Sequence, residues 1–579
     1  TPNGPRQRTL LSLGQLSLPR QQWKALANRI EEIIRGQLRF GEPVSEEVER
    51  LAQHYAQLLI AKRLHPEDEP SPPPPQFESV DVDSLQSREC RSIGAEWVAL
   101  SMLQRLGFGE YLSRLGFSPT EVQIAQLLIV GRMVAPGSEW SCWQWACHRS
   151  AIGELLGLRL SERSHNWLYR VGDRLYQHKR EIEAYLTRQE QALFPIASHI
   201  ILYDLTNSYF EGEIGRSQLK RYGRCKQKRH DAPLVTVGLV LNSYGFPLYS
   251  GVFEGNISEQ QTLEEVLGVL SEEVSIGPQK PLVVLDAGVA TESNLKRMVE
   301  LGYDYVVVSR CKGPEELPAS LGPLEVVRTG QEHRVEARLY RDGKESWLFC
   351  QSLRRAQKEA SMRTLLQQRF EEALQSLAAG LHRKGTTKRY QKVVERIGRL
   401  REKHRRVSHY YEIELQEHNG VAVELRWWLR EPKAMDDRFS GRYLLRSSRT
   451  DLTAQQIWHL YVMLTDVEDS FRSLKGELGL RPNYHQKDDR IRAHIFITVL
   501  AHHVVQCIQW YLHQKDCYLR WSSIRQALGT QQRLMSSFTT EAGKRIHIRH
   551  TSEPEAFHRF VADALGITPK PLARKKTIL

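Results

Sequence analysis

Two short apolar segments that each end in an aspartate constrain the fold of this chain most. Residues 198–204 are predicted to form a strand that ends in Asp204, and residues 281–286 an almost wholly apolar strand that ends in Asp286. A strand without polar alternation is typical of the centre of a sheet that is covered on both faces. The chain is therefore expected to contain a buried sheet with two carboxyl groups at the ends of its strands.

The elements around these two segments predict the order of the sheet. Further strands are predicted at 234–241, 246–253 and 303–309, and helices follow Ser258 and Thr291. The resulting order is strand, strand, strand, helix, strand, helix, strand, which is that of the ribonuclease-H-like fold. In that fold the first and fourth strands lie side by side. We therefore expect an α/β protein with a mixed sheet in which the two aspartates are neighbours.

The charge of the chain indicates its partners. Lys and Arg total 81 against 68 Asp and Glu, which gives a formal charge of +13. A polyanion such as nucleic acid is the leading partner, and an anionic membrane surface is the weaker one. The most apolar long segment, 495–512, contains His502, His503 and Gln506. This polarity favours a buried helix, with the two histidines in the core, over a membrane span.

The length and the breaks of the chain predict several domains. At about 150 residues per domain, 579 residues exceed a single core. The run from Pro70 to Pro75 is a polyproline linker. The predicted parts are a small N-terminal helical region (1–66), a Pro-rich linker (67–80), a helical DNA-binding domain (81–196), the first part of the ribonuclease-H-like core (197–310), an inserted α/β subdomain (311–450), the second part of the core (451–514) and a C-terminal region with a basic tail (515–579).

A third acid lies on a helix predicted over 453–479. Tyr461, Glu468 and Lys475 follow one another at intervals of seven residues, which is almost two helical turns, so all three fall on one face. Arg472 lies one turn beyond Glu468. This stripe suits a metal ligand beside a phosphate. The alternative is a surface helix with ion pairs between successive turns, which is commoner for an isolated helix of this composition.

Three converging carboxylates suit phosphoryl transfer. Cleavage and transfer of a phosphodiester need charge neutralisation on the attacking and leaving oxygens, which two Mg²⁺ ions about 3.5–4 Å apart provide. Hard cations prefer carboxylate oxygens. We therefore expect Asp204, Asp286 and Glu468 to be both the catalytic residues and the ligands of two Mg²⁺ ions, for which Mn²⁺ can substitute.

Several motifs resemble those of one group of enzymes. Tyr461-x₆-Glu468-x₆-Lys475 resembles the Y-R-E-K signature of bacterial insertion-sequence transposases with a DDE catalytic triad. Asp204-Leu205-Thr206 and Asp286-Ala287-Gly288 fit the first and second acids, and a long insertion before the third acid is typical of the group. The resemblance covers roughly residues 204–512.

The resemblance implies a DNA transposase in a prokaryotic cytoplasm. Water would cut the ends of the element, and the released 3′-OH would attack target DNA. Tyr461, Arg472 and Lys475 would position backbone phosphate, and a homodimer would hold two double-stranded ends together. Related enzymes cut the second strand through a DNA hairpin and hold a flipped base on a Trp of the insertion. Trp427 and Trp428 are the candidates here, and strand alternation puts one ring on each face.

One position departs from the signature. The group has Arg three residues after the Tyr, and this chain has Leu464. Either Arg472 or a residue of the insertion substitutes for it, or the copy is inactive. The three intact acids favour an active enzyme. A ribonuclease-H-like nuclease and a non-catalytic DNA-binding derivative are the alternatives.

Two basic clusters favour contact with DNA. Between residues 383 and 406 the insertion carries eleven Lys and Arg, opposed by only two Glu. Arg399, Lys403 and Arg406 belong to this run. A second cluster, which includes Lys226 and Arg229, precedes the second core strand and is expected at the rim of the active site.

Overall fold

Two separate units make up the chain in the computed structural model. One comprises residues 1–83 and 539–544, and the other comprises residues 84–538 and 545–579. The structure describes residues 18–34, 45–64, 77–194, 200–211, 214–223, 231–273, 282–309, 322–330, 333–430 and 441–578.

Helices occur throughout the described chain. In chain order they are α1 (Trp23–Ile34), α2 (Glu46–Leu64), α3 (Gly94–Arg105), α4 (Phe108–Arg114), α5 (Pro119–Val134), α6 (Glu139–His148), α7 (Ile152–Leu156), α8 (Asn166–Gln177), α9 (Lys179–Leu193), α10 (Glu259–Glu273), α11 (Glu292–Glu300), α12 (Leu353–His382), α13 (Tyr390–Lys403), α14 (Arg405–Ser408), α15 (Ala454–Arg472), α16 (Asp488–His513), α17 (Trp521–Leu528) and α18 (Ala556–Leu565).

The strands of the described residues form three sheets. In chain order they are β1 (Val80–Ser92), β2 (Ile200–Tyr209), β3 (Leu234–Asn242), β4 (Pro247–Glu254), β5 (Leu282–Leu285), β6 (Asp304–Ser309), β7 (Leu324–Arg328), β8 (Val335–Arg341), β9 (Ser346–Ser352), β10 (Tyr411–His418), β11 (Val421–Leu429), β12 (Arg442–Ser447), β13 (Gln532–Thr540), β14 (Arg545–Thr551) and β15 (Lys575–Ile578). The sheets are β1-β13-β14-β15, β10-β11 and a nine-stranded sheet.

Local sequence signals account for several helix starts. The spacing of Ser118 and Glu121 predicts a capping box at the start of α5, and each side chain bonds to the backbone of the other residue. Thr453 and Gln456 do the same for α15, and Thr291 caps α11. These three predictions are confirmed.

The apolar periodicity of residues 162–192 predicts a single helix, and this prediction is wrong. The chain instead forms α8 and α9, which meet at His178 with φ −98° and ψ 23°, outside the helical range. The apolar periodicity continues across this break, because Leu168, Val171 and Ile182 are all buried in one core. Periodicity alone therefore could not locate it.

The nine-stranded sheet has the predicted mixed α/β character. Its order is β4-β3-β2-β5-β6-β12-β9-β8-β7. The first and fourth predicted strands, β2 and β5, are parallel neighbours, and β5 is parallel to β6. β3 is completely buried, as a strand inside a covered sheet should be.

The stretch 311–450 differs from the expectation of a subdomain foreign to the core. Its strands β7, β8, β9 and β12 extend the central sheet beyond β6. Only the remainder has a core of its own, in which Phe370 and Leu374 of α12 pack against residues of α13 and the β10-β11 hairpin. The sequence does not reveal which strands pair with one another. Short strands on both sides of a long helical stretch therefore resemble a separate subdomain.

The helices cover the two faces of the central sheet. α15 packs across β2, β5 and β6 on one face, and the side chains of α10 and α11 join a second core on the other. α16 runs beneath α5 and α8 and is almost wholly buried. It is the one helix among the described residues that is long and apolar enough to cross a membrane, but 89% of its most apolar window lies inside the protein. The predicted buried helix is therefore confirmed.

The polar side chains of α16 are partnered within the core. His503 Nδ1 lies 2.6 Å from Glu190 Oε1 of α9, and both side chains are fully buried. Burial raises the pKa of Glu190, and the neighbouring imidazole opposes that shift. His502 lies 3.3 Å from the amide of Gln506. Both histidines therefore lie in the core, as the sequence predicts.

Breaking the pair between α9 and α16 is expected to destabilise the larger unit. His503→Ala leaves the Glu190 carboxyl buried without its partner, at a cost of about 3–5 kcal/mol in the free energy of unfolding. Glu190→Gln keeps an acceptor oxygen for the imidazole and should cost less. Thermal unfolding monitored by fluorescence measures both variants. A midpoint for His503→Ala within about 1 °C of the wild type would contradict the proposed pairing energy.

Candidate active site

The register of two strands brings the first two acids together. β2 and β5 pair in parallel with Tyr203 opposite Leu285, so Asp204 and Asp286 occupy the next position on neighbouring strands. Adjacent strands lie about 4.8 Å apart. Asp204 is not at a strand end as predicted, because β2 continues to Tyr209. Asp286 directly follows β5 and is exposed, whereas Asp204 is half-buried.

The pleat of β2 turns Asp204 towards the helix that carries the third acid. Leu202 and Val284 belong to the core beneath α15, whereas Tyr203 belongs to the core beneath α10. Side chains alternate between the faces of a strand. Asp204 therefore faces the same side as Leu202. Ser208 lies on the same face of β2 as Asp204. Its hydroxyl donates to the Leu480 carbonyl beyond the C-terminal end of α15, which supports this orientation.

Tyr461 reports on the positions of the second and third acids. Its side chain is half-buried on α15. Glu468 is exposed and lies seven residues further along the helix, on the same face. Burial raises the pKa of Tyr461, and the positive charge of Arg355 opposes this rise. The negative charges of Asp286 and Glu468 raise the pKa further. Both carboxylates are therefore close enough to one phenol to act on its ionisation.

The three carboxylates form a spread set. Their oxygens do not all lie within 4.8 Å of one another; within the described chain, the one group of three potential ligands that does so is Glu139, His485 and His494. Ligand atoms that bind a single ion lie within about 4.8 Å of one another. Carboxylates shared between two ions about 3.5–4 Å apart extend over a wider region.

The end of α15 differs from the predicted continuous helix. After Arg472 the chain widens into a π-turn over Ser473–Glu477, in which the Leu478 amide donates to the Ser473 carbonyl. Lys475 lies within this turn, and its ammonium lies 5.2 Å from the Phe471 ring centroid. The shared face of Lys475 and Glu468 stays a prediction. Arg472 precedes the π-turn and keeps its predicted place.

Arg472 lines a cavity beside the end of α15. Its guanidinium is exposed and lies 2.7 Å from the Asp469 carboxylate. The cavity, about 450 Å³, lies between the β3–β4 turn and the ends of α15 and α16, and Tyr518 and Arg520 line it as well. Sequence periodicity could not reveal it, because three separate segments form its walls.

The two tryptophans lie on opposite faces of β11, as strand alternation predicts. Trp427 packs partly buried against the core of α12 and α13, and Trp428 is 48% exposed. β11 pairs with β10 in a separate two-stranded sheet, and Trp428 lies on the face of this hairpin that is opposite to the core of α12 and α13.

The basic run of the insertion is exposed. Arg399 and Lys403 lie on the outer side of α13, whose inner side buries Val393 and Ile397, and Arg406 follows on α14. The predicted cluster of Lys226 and Arg229 lies outside the described residues.

The sequence does not predict a buried polar network that is formed around Glu139. Glu139 Oε2 lies 2.7 Å from His485 Nε2, and its other oxygen lies 3.0 Å from His494 Nδ1. Burial and the nearby Arg132 lower the pKa of His494 to about 4, so its ring is neutral at pH 7. Arg132 Nη2 lies 3.4 Å from Glu139 Oε1. The guanidinium therefore places a positive charge beside the Glu139 carboxylate, and this network joins α5, α6 and α16.

Comparison with known proteins places these residues in a family. A family model described as a transposase DDE domain matches residues 199–503, more than half of the chain. No curated protein matches. Six chains of solved structures match, among them a piggyBac transposase in a synaptic complex with hairpin DNA, at 7% identity over 78% of this chain and 82% of that chain. Its TM-score of 0.34 is too low to establish a shared fold.

Removing either acid is expected to change the ionisation of Tyr461. Asp286→Asn and Glu468→Gln each remove a negative charge that disfavours the phenolate, so each should lower the pKa of Tyr461. Fluorine NMR of protein labelled with 3-fluorotyrosine measures this, with Tyr461→Phe to assign the signal. Glu300→Gln, an exposed acid on α11 across the sheet, is the control. An unchanged pKa in Glu468→Gln would show that α15 does not place Glu468 beside Tyr461.

Proposed function

Because the chain belongs to the family of proteins with a transposase DDE domain, we propose that it is a DNA transposase of the bacterial insertion-sequence group with the Y-R-E-K signature. Asp204, Asp286 and Glu468 are its catalytic residues. The observation that carries this proposal is the joint placement of the acids. Strand register sets the first two side by side, and the charges of the second and third act on one tyrosine.

The proposed site fits divalent magnesium. All three side chains offer carboxylate oxygens, and two of them are exposed at the surface, which suits a hard cation that keeps part of its water. Asp204, Asp286 and Glu468 would hold two Mg²⁺ ions, or Mn²⁺ in their place. When bound, these ions neutralise charge on the attacking and leaving oxygens. The network around Glu139 suits them poorly, because it combines imidazoles with a buried guanidinium.

The proposed reaction consists of two displacements at phosphorus. In the first, a water oxygen bonds to the phosphorus at the element end, and the bond to the 3′ oxygen breaks, which leaves a 3′-OH and a 5′-phosphate. In the second, that hydroxyl bonds to a phosphorus of target DNA and displaces its 3′ oxygen. Tyr461, Arg472 and Lys475 would position the backbone phosphate.

The substrate is proposed to be double-stranded DNA, held by a dimer. The exposed basic side of α13 and α14 would follow the phosphate backbone, and the cavity at Arg472 would take a part of the strand that leaves the active site. Trp428, the exposed ring of β11, is the candidate to stack on a flipped base. A homodimer in a prokaryotic cytoplasm is proposed because two element ends must be joined.

One observation favours the second candidate function, an inactive DNA-binding derivative. Leu464 is partly buried against the main core, so no cation of α15 occupies the position at which the signature has Arg. A derivative that retains the basic surface but has lost the ability to cut would show this change.

Loss of the third acid is expected to separate cleavage from binding. Glu468→Gln should lower the Mg²⁺-dependent cleavage rate by roughly 10³-fold, because the amide is a poorer metal ligand than the carboxylate. Binding of the element end should be unchanged. Gel-based cleavage and fluorescence anisotropy measure the two quantities, with Glu300→Gln as control. Cutting by Glu468→Gln at the wild-type rate would remove this residue from the site.

Neutralising the basic side of α13 and α14 is expected to weaken DNA binding, and the effect should be largest at low salt concentration. Replacing Arg399, Lys403 and Arg406 by Gln should reduce the slope of log affinity against log salt by about 0.9 for each phosphate that the variant no longer neutralises. A matched triple variant removes the exposed charges of Lys296, Arg297 and Lys344. If both triple variants changed the slope equally, the effect would reflect net charge and not a binding surface.

A further inference from the structure

Arg355, a residue of the insertion, lies at the edge of the sheet that carries the acids. β12 is antiparallel to both β6 and β9, and β6 is parallel to β5. β5 and β9 therefore run in the same direction, and their C-terminal ends share one edge. Asp286 follows β5 directly, and Arg355 lies in the first turn of α12, three residues beyond the end of β9.

Contacts between the first turns of α12 and the start of β12 hold Arg355 in place. Arg355 Nε lies 2.8 Å from Glu359 Oε1, and the other oxygen of Glu359 accepts from the Gly441 amide at 2.9 Å. Gly441 has φ +73°, and a side chain there would come within 2.5 Å of the Ala356 backbone. The two ends of the segment between β9 and β12 are therefore packed backbone to backbone, and Arg355 lies at that junction.

Aromatic contacts connect Arg355 to the candidate site. Its guanidinium lies 5.1 Å from the Tyr443 ring centroid, and the Tyr443 ring lies 5.5 Å from that of Tyr461. Its side chain is 43% exposed. Among the residues that the structure describes, the two terminal nitrogens of the guanidinium have no hydrogen-bonding partner. The charge also acts on Tyr461, as the acids do.

We propose that Arg355 binds a DNA phosphate next to the cleavage position, and thereby supplies from the insertion the cation that α15 lacks at Leu464. A planar guanidinium that is held at Nε and open at both terminal nitrogens is arranged for a bidentate contact with phosphate oxygens. This inference rests on the proposed function, because it assumes that the acids cut DNA. It also makes the insertion part of the active site.

The test compares variants at one position on the same DNA end. Arg355→Gln should lower the single-turnover cleavage rate by about 100-fold, while Arg355→Lys, which keeps the charge without the fork, should recover part of the loss. Arg354→Gln removes the neighbouring exposed charge from the same helical turn and should cut like the wild type. Thermal unfolding checks that every variant is folded.

A second measurement distinguishes phosphate contact from a structural role. Single phosphates flanking the cleavage position are replaced by neutral methylphosphonates, and wild type and Arg355→Gln are compared on each duplex. At the phosphate that Arg355 binds, the difference between the two proteins should disappear, because both partners of one interaction are then removed. A rate for Arg355→Gln within about two-fold of the wild type on native DNA would overturn the inference. So would a reduction of equal size on every modified duplex.

Failure of the proposed function gives a different pattern. If the wild type does not cut, or Glu468→Gln cuts equally well, the proposed function fails and this inference fails with it. If the wild type cuts, Glu468→Gln does not, and Arg355→Gln behaves as the wild type, only the role of Arg355 is refuted.

Discussion

The parallel pairing of β2 with β5 is the constraint on which the rest of the structure depends. It sets Asp204 and Asp286 on neighbouring strands, whose backbones lie about 4.8 Å apart, so that two groups of like charge are brought near each other. The surrounding sheet must hold them there. β3 beside β2 is buried along its whole length, and Val283, Val284 and Leu285 of β5 are buried as well. At about 25 cal/mol per Å² of apolar surface, this burial stabilises the arrangement against the repulsion.

The position of the third acid depends on how α15 is held at both ends. At its start, the capping box of Thr453 fixes the first turn. Beyond its end, Asn483 pairs with the end of β2, because its amide donates to the Tyr209 carbonyl at 3.0 Å. α16 follows, and the polar network around Glu139 joins it to α5 and α6. Polar groups in an apolar core are satisfied in one arrangement only, so they select one position of α16.

The sequence predicts well what depends on neighbouring residues. Caps at Ser118 and Thr453, the burial of α16 and the adjacency of β2 and β5 follow from local patterns and from the order of the elements. The π-turn after Arg472 is different, because no local composition distinguishes it from a continuous helix. The network of Arg132 with Glu139 and His494 is also invisible, since its members are up to 362 positions apart along the chain. Roles for the three acids were inferred from motifs, whereas the pairing of β2 with β5 follows from the order of the elements.

Strand direction explains how an insertion can serve an active site. An insertion that left the core through a flexible loop would have to order itself on every encounter with DNA, at a cost of about 1–2 kcal/mol per residue fixed. Here it leaves through β9 and returns through β12, both members of the central sheet. Two antiparallel steps from β6 make β9 parallel to β5, so α12 begins at the edge where Asp286 lies. The strands that looked foreign to the core thus attach the first turn of α12 to the same sheet that carries Asp286.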